Sequence, residues 1–168
     1  MLVTQPVAAA ASLKDPLMSS PRLVSDALFP LNLQSLSAFE AVHQQFSGYG
    51  VEFEGAIALF PSNPRFINQP SHKVIMPTAA TNRLWLNLSP LVTRICLSGR
   101  STQPILLESI NAAGDVIAVE NGVMCPLPAP LRHDTGRLPS QVFKLNAAQA
   151  KRLRLSAKAP FTLERVAV

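Results

Sequence analysis

The sequence is short of the residues from which active sites and metal centres are usually built. It has two cysteines, Cys96 and Cys125, without CxxC spacing, and its three histidines lie in unrelated segments. A zinc site needs three or four ligands in suitable geometry, and the sequence shows no GxSxG motif and no plausible Ser-His-Asp order. We therefore expect no enzyme, no metal and no other cofactor, and we expect both thiols to be reduced.

Glycine, charged residues and long apolar runs are scarce as well. Seven scattered glycines are too few for a phosphate-cradling loop, and no run approaches the roughly 18 apolar residues of a membrane span. The N-terminus has no basic segment followed by an apolar stretch long enough for a signal peptide. These absences predict a soluble, cytoplasmic protein, at most peripheral to a membrane-attached complex.

Proline is abundant, with 15 residues, and it divides the first 36 residues into short pieces. Proline is excluded from helix interiors and central strands, yet this segment is too apolar for a disordered tail. We predict an extended arm over residues 1–36, which either folds back on its own domain or lies on another subunit. In the second case the arm residues that bind the partner are Leu13, Leu17, Met18, Leu23, Val24, Leu28, Phe29, Leu31 and Leu33.

The remaining residues, 37–168, predict one all-β domain after a short helix. Ser37 and Glu40 form a capping-box pattern, which predicts a helix over Ser37–Phe46. About nine short strands follow, including Arg83–Leu88 and a hairpin over Ile105–Val119 with Gly114 in its turn. Short strands at this spacing predict an antiparallel, jelly-roll-like β-sandwich.

Positive charge is concentrated towards the C-terminus, where residues 126–168 carry eight basic and two acidic side chains. In the strand predicted from Lys151, alternation directs Leu153, Leu155 and Ala157 into the core. Arg152, Arg154 and Lys158 then form an outward row, about 7 Å apart, which we call the basic ladder. It either meets an acidic partner or is a solvated, aggregation-blocking edge.

Four segments resemble a known module: GVEFEGAIALFPSNPRF, MPTAATNRLWLNLSPLVTRICLSG, PILLESINAAGDVIAVE and KRLRLSAKAPFTLERVAV. Together they are similar to a jelly-roll β-sandwich module, common in cyanobacterial proteins of unassigned function, over about residues 46–168. The resemblance implies the fold and an adhesive, sugar-binding or structural setting. Glu164-Arg165 replaces the acidic pair usual there, which argues against a calcium site.

Two functions remain open. The first is a non-enzymatic linker that docks its apolar arm and basic ladder onto acidic subunits of a larger assembly; given the cyanobacterial resemblance, that assembly is the phycobilisome. The alternative is a carbohydrate-binding module that uses Trp85 and Tyr49, although an outward tryptophan can also pack under a loop. Few aromatic residues lie near the basic ladder to stack on bases, which argues against nucleic acid, and nothing indicates a small-molecule substrate.

Overall fold

The computed structural model describes residues 27–66, 71–78, 81–125 and 136–168. Three single 3-10 turns occur in this part of the chain, at Leu33–Ser35, Ser47–Tyr49 and Pro64–Phe66. The strands are β1 (Ala41–Val42), β2 (Val51–Glu54), β3 (Ala56–Leu59), β4 (Val74–Pro77), β5 (Arg83–Leu88), β6 (Arg94–Ser101), β7 (Ile105–Ile110), β8 (Val116–Asn121), β9 (Val123–Cys125), β10 (Ser140–Asn146), β11 (Arg152–Ala157) and β12 (Phe161–Ala167).

These strands form two antiparallel sheets, which confirms the predicted all-β sandwich. One sheet has seven strands in the order β1-β3-β4-β12-β6-β10-β9, and the other has five in the order β2-β5-β11-β7-β8. The chain repeatedly crosses from one sheet to the other, as between β2 and β3, β4 and β5, and β10 and β11. Because most neighbouring strands, such as β12 and β6 or β5 and β11, are distant in sequence, the fold depends largely on long-range pairing.

The core lies between the sheets and is built by period-two alternation. In β5 every second residue is fully buried, and in β11 Leu153 and Leu155 are fully buried while Ala157 is partly buried. Burying each such side chain contributes about 1.5–3 kcal/mol relative to leaving it exposed. The largest fully buried side chains are Phe143, Phe161, Ile75, Leu84, Leu86, Leu88, Ile95, Leu97, Ile105, Leu107, Leu153 and Leu155.

The predicted hairpin is present as β7 and β8. Gly114 has a positive φ of 92° in its turn, and the Asp115 amide donates to the Asn111 side-chain oxygen at 2.9 Å. Glycine takes this backbone conformation without the steric penalty that a side chain brings.

The predicted helix over Ser37–Phe46 is wrong. Half of the capping box forms, because the Ser37 amide donates to the Glu40 carboxylate at 2.6 Å. Phe39 then takes a positive φ of 63°, which a helix does not allow, and Ala41–Val42 pairs with β3. Pairing with the sheet edge therefore outweighs the local helix signal.

The described end of the predicted arm belongs to the sandwich. Phe29 and Val168 exchange backbone hydrogen bonds, and the Leu31 amide donates to the Val166 carbonyl at 2.8 Å. Leu31 and Leu33 are buried in the core, which moves the domain boundary N-terminal to the predicted position at residue 36. Five arm residues, Leu13, Leu17, Met18, Leu23 and Val24, lie outside the described residues.

A buried ion pair lies on the outer side of the seven-stranded sheet. Arg100 on β6 contacts Glu164 on β12, and their side chains are only 3% and 7% exposed. Arg100 also donates to the Leu138 carbonyl, and the Ser140 hydroxyl donates to Glu164 at 3.2 Å. The pair thus links β6, β12 and the segment that leads into β10.

Within the described ranges, no helix has the length and apolar character needed to cross a membrane.

Candidate functional site

The solvent-facing side of the five-stranded sheet brings together polar side chains from four strands. Since Leu84, Leu86 and Leu88 point inwards, Trp85 and Asn87 of β5 point outwards. The register sets Trp85 opposite Glu54 on one side and Arg154 on the other. Arg154 in turn lies opposite Glu108 on β7. This row of four residues spans roughly 14 Å across the strands, and we call it, with Asn87 and Arg152, the Trp85 face.

Trp85 is half-buried and held between charged neighbours. The guanidinium carbon of Arg152 lies 4.4 Å from the indole centroid, and that of Arg154 lies 5.3 Å away. Cation–π contacts at exposed sites contribute about 0.5–1 kcal/mol each. The ring is therefore fixed in orientation while part of it remains accessible.

Arg154 and Glu108 form a bidentate ion pair. The Arg154 Nε and Nη2 atoms both donate to the Glu108 carboxylate. These hydrogen bonds lower the pKa of Glu108 and raise the pKa of Arg154. Both side chains stay charged near neutral pH, and the fork geometry fixes their positions.

Arg152 is held more loosely than Arg154. Its Nη2 donates to Glu54 at 2.7 Å, and the two side chains are 36% and 58% exposed. Its Nε is buried without a hydrogen-bond partner in the described part of the chain. An exposed pair of this kind contributes about 0–1 kcal/mol, so Arg152 can change partners at low cost.

The basic ladder is oriented as predicted, but it is not a row of free cations. Leu153 and Leu155 are fully buried, and Arg152 and Arg154 point outwards. Each arginine is engaged by a glutamate from a different strand, so most of the ladder's charge is neutralised within the sheet. Lys158 lies beyond the end of β11 and is exposed.

Hollows border the Trp85 face at both ends of its strands, and two of them are large. The first, of about 670 Å³, is lined by Glu52, Glu54, Asn87 and residues 43–45. The second, of about 570 Å³, lies at the opposite end of the strands, and Arg83 and Lys158 are among its lining residues. Carboxylates thus border one end of the face, and the other end is bordered by Arg83 and Lys158, whose side chains have no ion-pair partner among the described residues.

Tyr49 does not join this face. It lies in the turn before β2, whereas Trp85 lies opposite Glu54 at the far end of that strand. Its ring stacks on Phe29, with centroids 5.2 Å apart, beside a separate hollow of about 350 Å³ that Leu28 also lines. The two aromatics named as candidates for sugar binding are therefore separated, and cation–π contacts to Trp85 come from Arg152 and Arg154.

Metal-ligating side chains do not gather in the described residues, where no group of three His, Cys, Asp or Glu side chains could hold an ion. Cys96 and Cys125 are free thiols. What the Trp85 face offers chemically is a flat apolar ring, guanidinium donors and carboxylate acceptors.

One prominent surface is not predicted from the sequence. Five large apolar side chains on β8 and β9 are between 44% and 70% exposed, and both strands lie at sheet edges. The signal was present in the unbroken apolar run of β8, which lacks the alternation expected of a half-buried strand. The exposed residues are Val116, Ile117, Val119, Val123 and Met124.

No protein-family model and no curated protein matches the chain. Among solved structures, it is similar to a Family 29 Carbohydrate Binding Module from Piromyces equi, at 11% identity and a TM-score of 0.38, over 70% of this chain and 79% of that one. It is also similar to the enzymatically active domain of bacteriophage CBA120 tailspike protein 4, at 9% identity and a TM-score of 0.30, over 77% of this chain and 20% of that one. Neither likeness is strong enough to indicate a function, so the side chains of the Trp85 face must carry that inference.

Proposed function

We propose that this protein binds carbohydrate on the Trp85 face of its five-stranded sheet. The observation that carries the proposal is the partly exposed Trp85 on β5, an inner strand of the five-stranded sheet, with two guanidinium groups against its ring. A sugar ring has an apolar C–H face and a rim of hydroxyl groups. Trp85 can pack against the first, while its neighbours form hydrogen bonds to the second.

Preorganisation favours this use of the face. Because Arg154 and Glu108 hold each other, binding costs little additional side-chain entropy. Arg152 has a buried Nε without a partner among the described residues, and a buried donor gains from an acceptor. A ligand hydroxyl that draws Arg152 out of its exposed contact with Glu54 can supply that acceptor.

The described part of the arm also favours carbohydrate binding over the linker function. Leu31 and Leu33, two of the residues predicted to bind another subunit, pack instead in the core of their own domain. Leu28 and Phe29 lie beside the terminal strand and Tyr49. The linker interpretation therefore loses part of the apolar surface on which it was based.

The test is a glycan array followed by calorimetric titration of the oligosaccharides that bind. Trp85→Ala should weaken binding about tenfold or more, because a central tryptophan of this kind is typically worth 2 kcal/mol or more. Tyr49→Ala is the matched aromatic control and should retain affinity. Equal affinity of the wild type and Trp85→Ala would contradict the proposal, as would an array without a single bound glycan.

A role in assembly is the second candidate, and the apolar surface of β8 and β9 favours it. Edge strands carry unpaired backbone groups, which can pair with a strand of another chain. Acidic partner subunits, and the phycobilisome in particular, stay predictions from the sequence.

The assembly role can be tested by isolating the tagged full-length chain in its native complex. Val119→Lys and Val123→Lys should release a stoichiometric partner, whereas Arg165→Gln, on β12 and separated from β9 by β6 and β10, should not. Retention of the partner by both lysine variants would contradict a docking role for this edge.

A further inference from the structure

The hollow beyond Trp85 has a distinct chemical character. It is formed where β5 begins and β11 ends, because Ser156 lies opposite both Arg83 and Leu106 in the sheet. No acidic side chain is among the described residues that line it. We call it the cationic pocket; its lining residues are Thr81, Arg83, Gln103, Pro104, Leu106, Ser156, Ala157 and Lys158.

The two cations of this pocket are not neutralised as the neighbouring arginines are. Neither Arg83 nor Lys158 has an ion-pair or hydrogen-bond partner among the residues that the structure describes. Glu108 is the carboxylate whose pKa reflects the charge of Arg83, but both of its oxygens accept hydrogen bonds from Arg154. Two positive charges therefore converge on a hollow that also offers the hydroxyls of Thr81 and Ser156.

We infer that the cationic pocket binds the carboxylate or sulfate group of an acidic glycan whose neighbouring sugar ring packs on Trp85. This inference rests on the proposed carbohydrate-binding function and adds the class of sugar. An anionic oxygen pair suits a guanidinium fork and an ammonium group. The hydroxyl and amide groups of the pocket can bind the remaining oxygens.

The spacing suits one continuous ligand. Arg83 precedes Trp85 by two residues on the same face of β5, which places their Cα atoms roughly 7 Å apart. One sugar ring on Trp85 and the charged substituent of the next can therefore occupy both positions. At the other end of the face, Glu52, which lies opposite Asn87, repels a second anionic group, so an acidic chain should bind in one preferred direction.

The experiment compares calorimetric titrations of three oligosaccharides of equal length: a neutral cello-oligosaccharide, an oligogalacturonate and a sulfated galactan fragment. Wild type is compared with Arg83→Gln, Lys158→Gln and Trp85→Ala. Lys144→Gln serves as the matched control, because Lys144 is an exposed lysine on the other sheet. Thermal denaturation of each variant verifies that it is folded.

We expect an acidic ligand to bind at least about fivefold more tightly than the neutral one, with an advantage that declines as salt is added. Arg83→Gln and Lys158→Gln should each remove most of that advantage, and Lys144→Gln should leave it intact. If the oligogalacturonate loses more affinity in these variants, the pocket recognises a carboxylate. If the sulfated galactan fragment loses more, the pocket recognises a sulfate.

The failures of the two proposals are distinguishable. If the wild type binds neutral and acidic ligands with equal affinity, and if Trp85→Ala but not Arg83→Gln loses this binding, the cationic pocket is overturned. Carbohydrate binding on the Trp85 face then still stands. Acidic binding that survives Trp85→Ala but not Arg83→Gln overturns the Trp85 face instead. Absence of binding to all three ligands and to the glycan array overturns both.

Discussion

Replacing Glu164 by leucine tests the energetics of the fold through the most buried ion pair of the described residues. The change leaves the Arg100 guanidinium in a site where its side chain is 3% exposed, and an arginine cannot escape by losing its proton. The Leu138 carbonyl still accepts a hydrogen bond from the guanidinium, but the ion pair with the Glu164 carboxylate is lost.

Breaking a buried pair by removing one partner costs about 3–5 kcal/mol. For a chain of this size, about 2–4 °C of Tm is lost per kcal/mol. Glu164→Leu should therefore lower Tm by about 6–20 °C. The double variant Arg100→Met/Glu164→Leu should recover much of that loss, because two apolar side chains leave no buried charge uncompensated.

The assay is thermal denaturation followed by circular dichroism, with Glu54→Leu as the matched control. Glu54 pairs with Arg152 at the surface, where both side chains are more than a third exposed, and such a pair is worth about 0–1 kcal/mol. If Glu164→Leu and Glu54→Leu lower Tm equally, burial does not set the energetics of these pairs and the reasoning is refuted.

Two further changes probe other parts of the account. Gly99→Ala should markedly lower the urea concentration at the midpoint of unfolding without changing the m-value. A Cβ at this position would lie 2.4 Å from the Thr162 carbonyl oxygen, and overpacking of this kind costs about 1–3 kcal/mol or more. Gly48→Ala, with no atom within 4 Å of the added Cβ, is the control, and equal midpoints would contradict the packing. Arg154→Met should lower the free energy of unfolding by its full amount above pH 4.5, the ordinary pKa of Glu108, and by less as the pH falls. The reason is that a carboxylate with a lowered pKa in the folded state stabilises that state only while it is ionised. A loss that does not vary with pH in denaturant titrations would contradict this role of Arg154.

Local patterns in the sequence predict much of the sheet structure. β5 has the predicted bounds, since its alternation of leucine with polar residues matches a half-buried strand. β7 also begins and ends where the hairpin signal places it. Where the hydrophobic periodicity and the turn residues indicate the same bounds, the sequence predicts the strand correctly.

The failures have one physical origin, which is pairing between distant segments. The capping signal at Ser37 was overridden by β3, and Leu31 entered the core because the neighbouring backbone pairs with β12. Arg152 and Arg154 looked like free cations because Glu54 and Glu108, their partners, are 98 and 46 residues away. Strand register decides these contacts, and it could not be predicted from the sequence.

The most direct test of carbohydrate binding uses the fluorescence of Trp85, which is the only tryptophan in the chain. The wild-type protein is titrated with the oligosaccharide that binds best on the array, and the accessibility of its indole to acrylamide is measured with and without ligand. We predict a saturable change in emission and protection from quenching, with the same dissociation constant that calorimetry gives. An unchanged emission and unchanged quenching at ligand saturation would contradict binding on the Trp85 face.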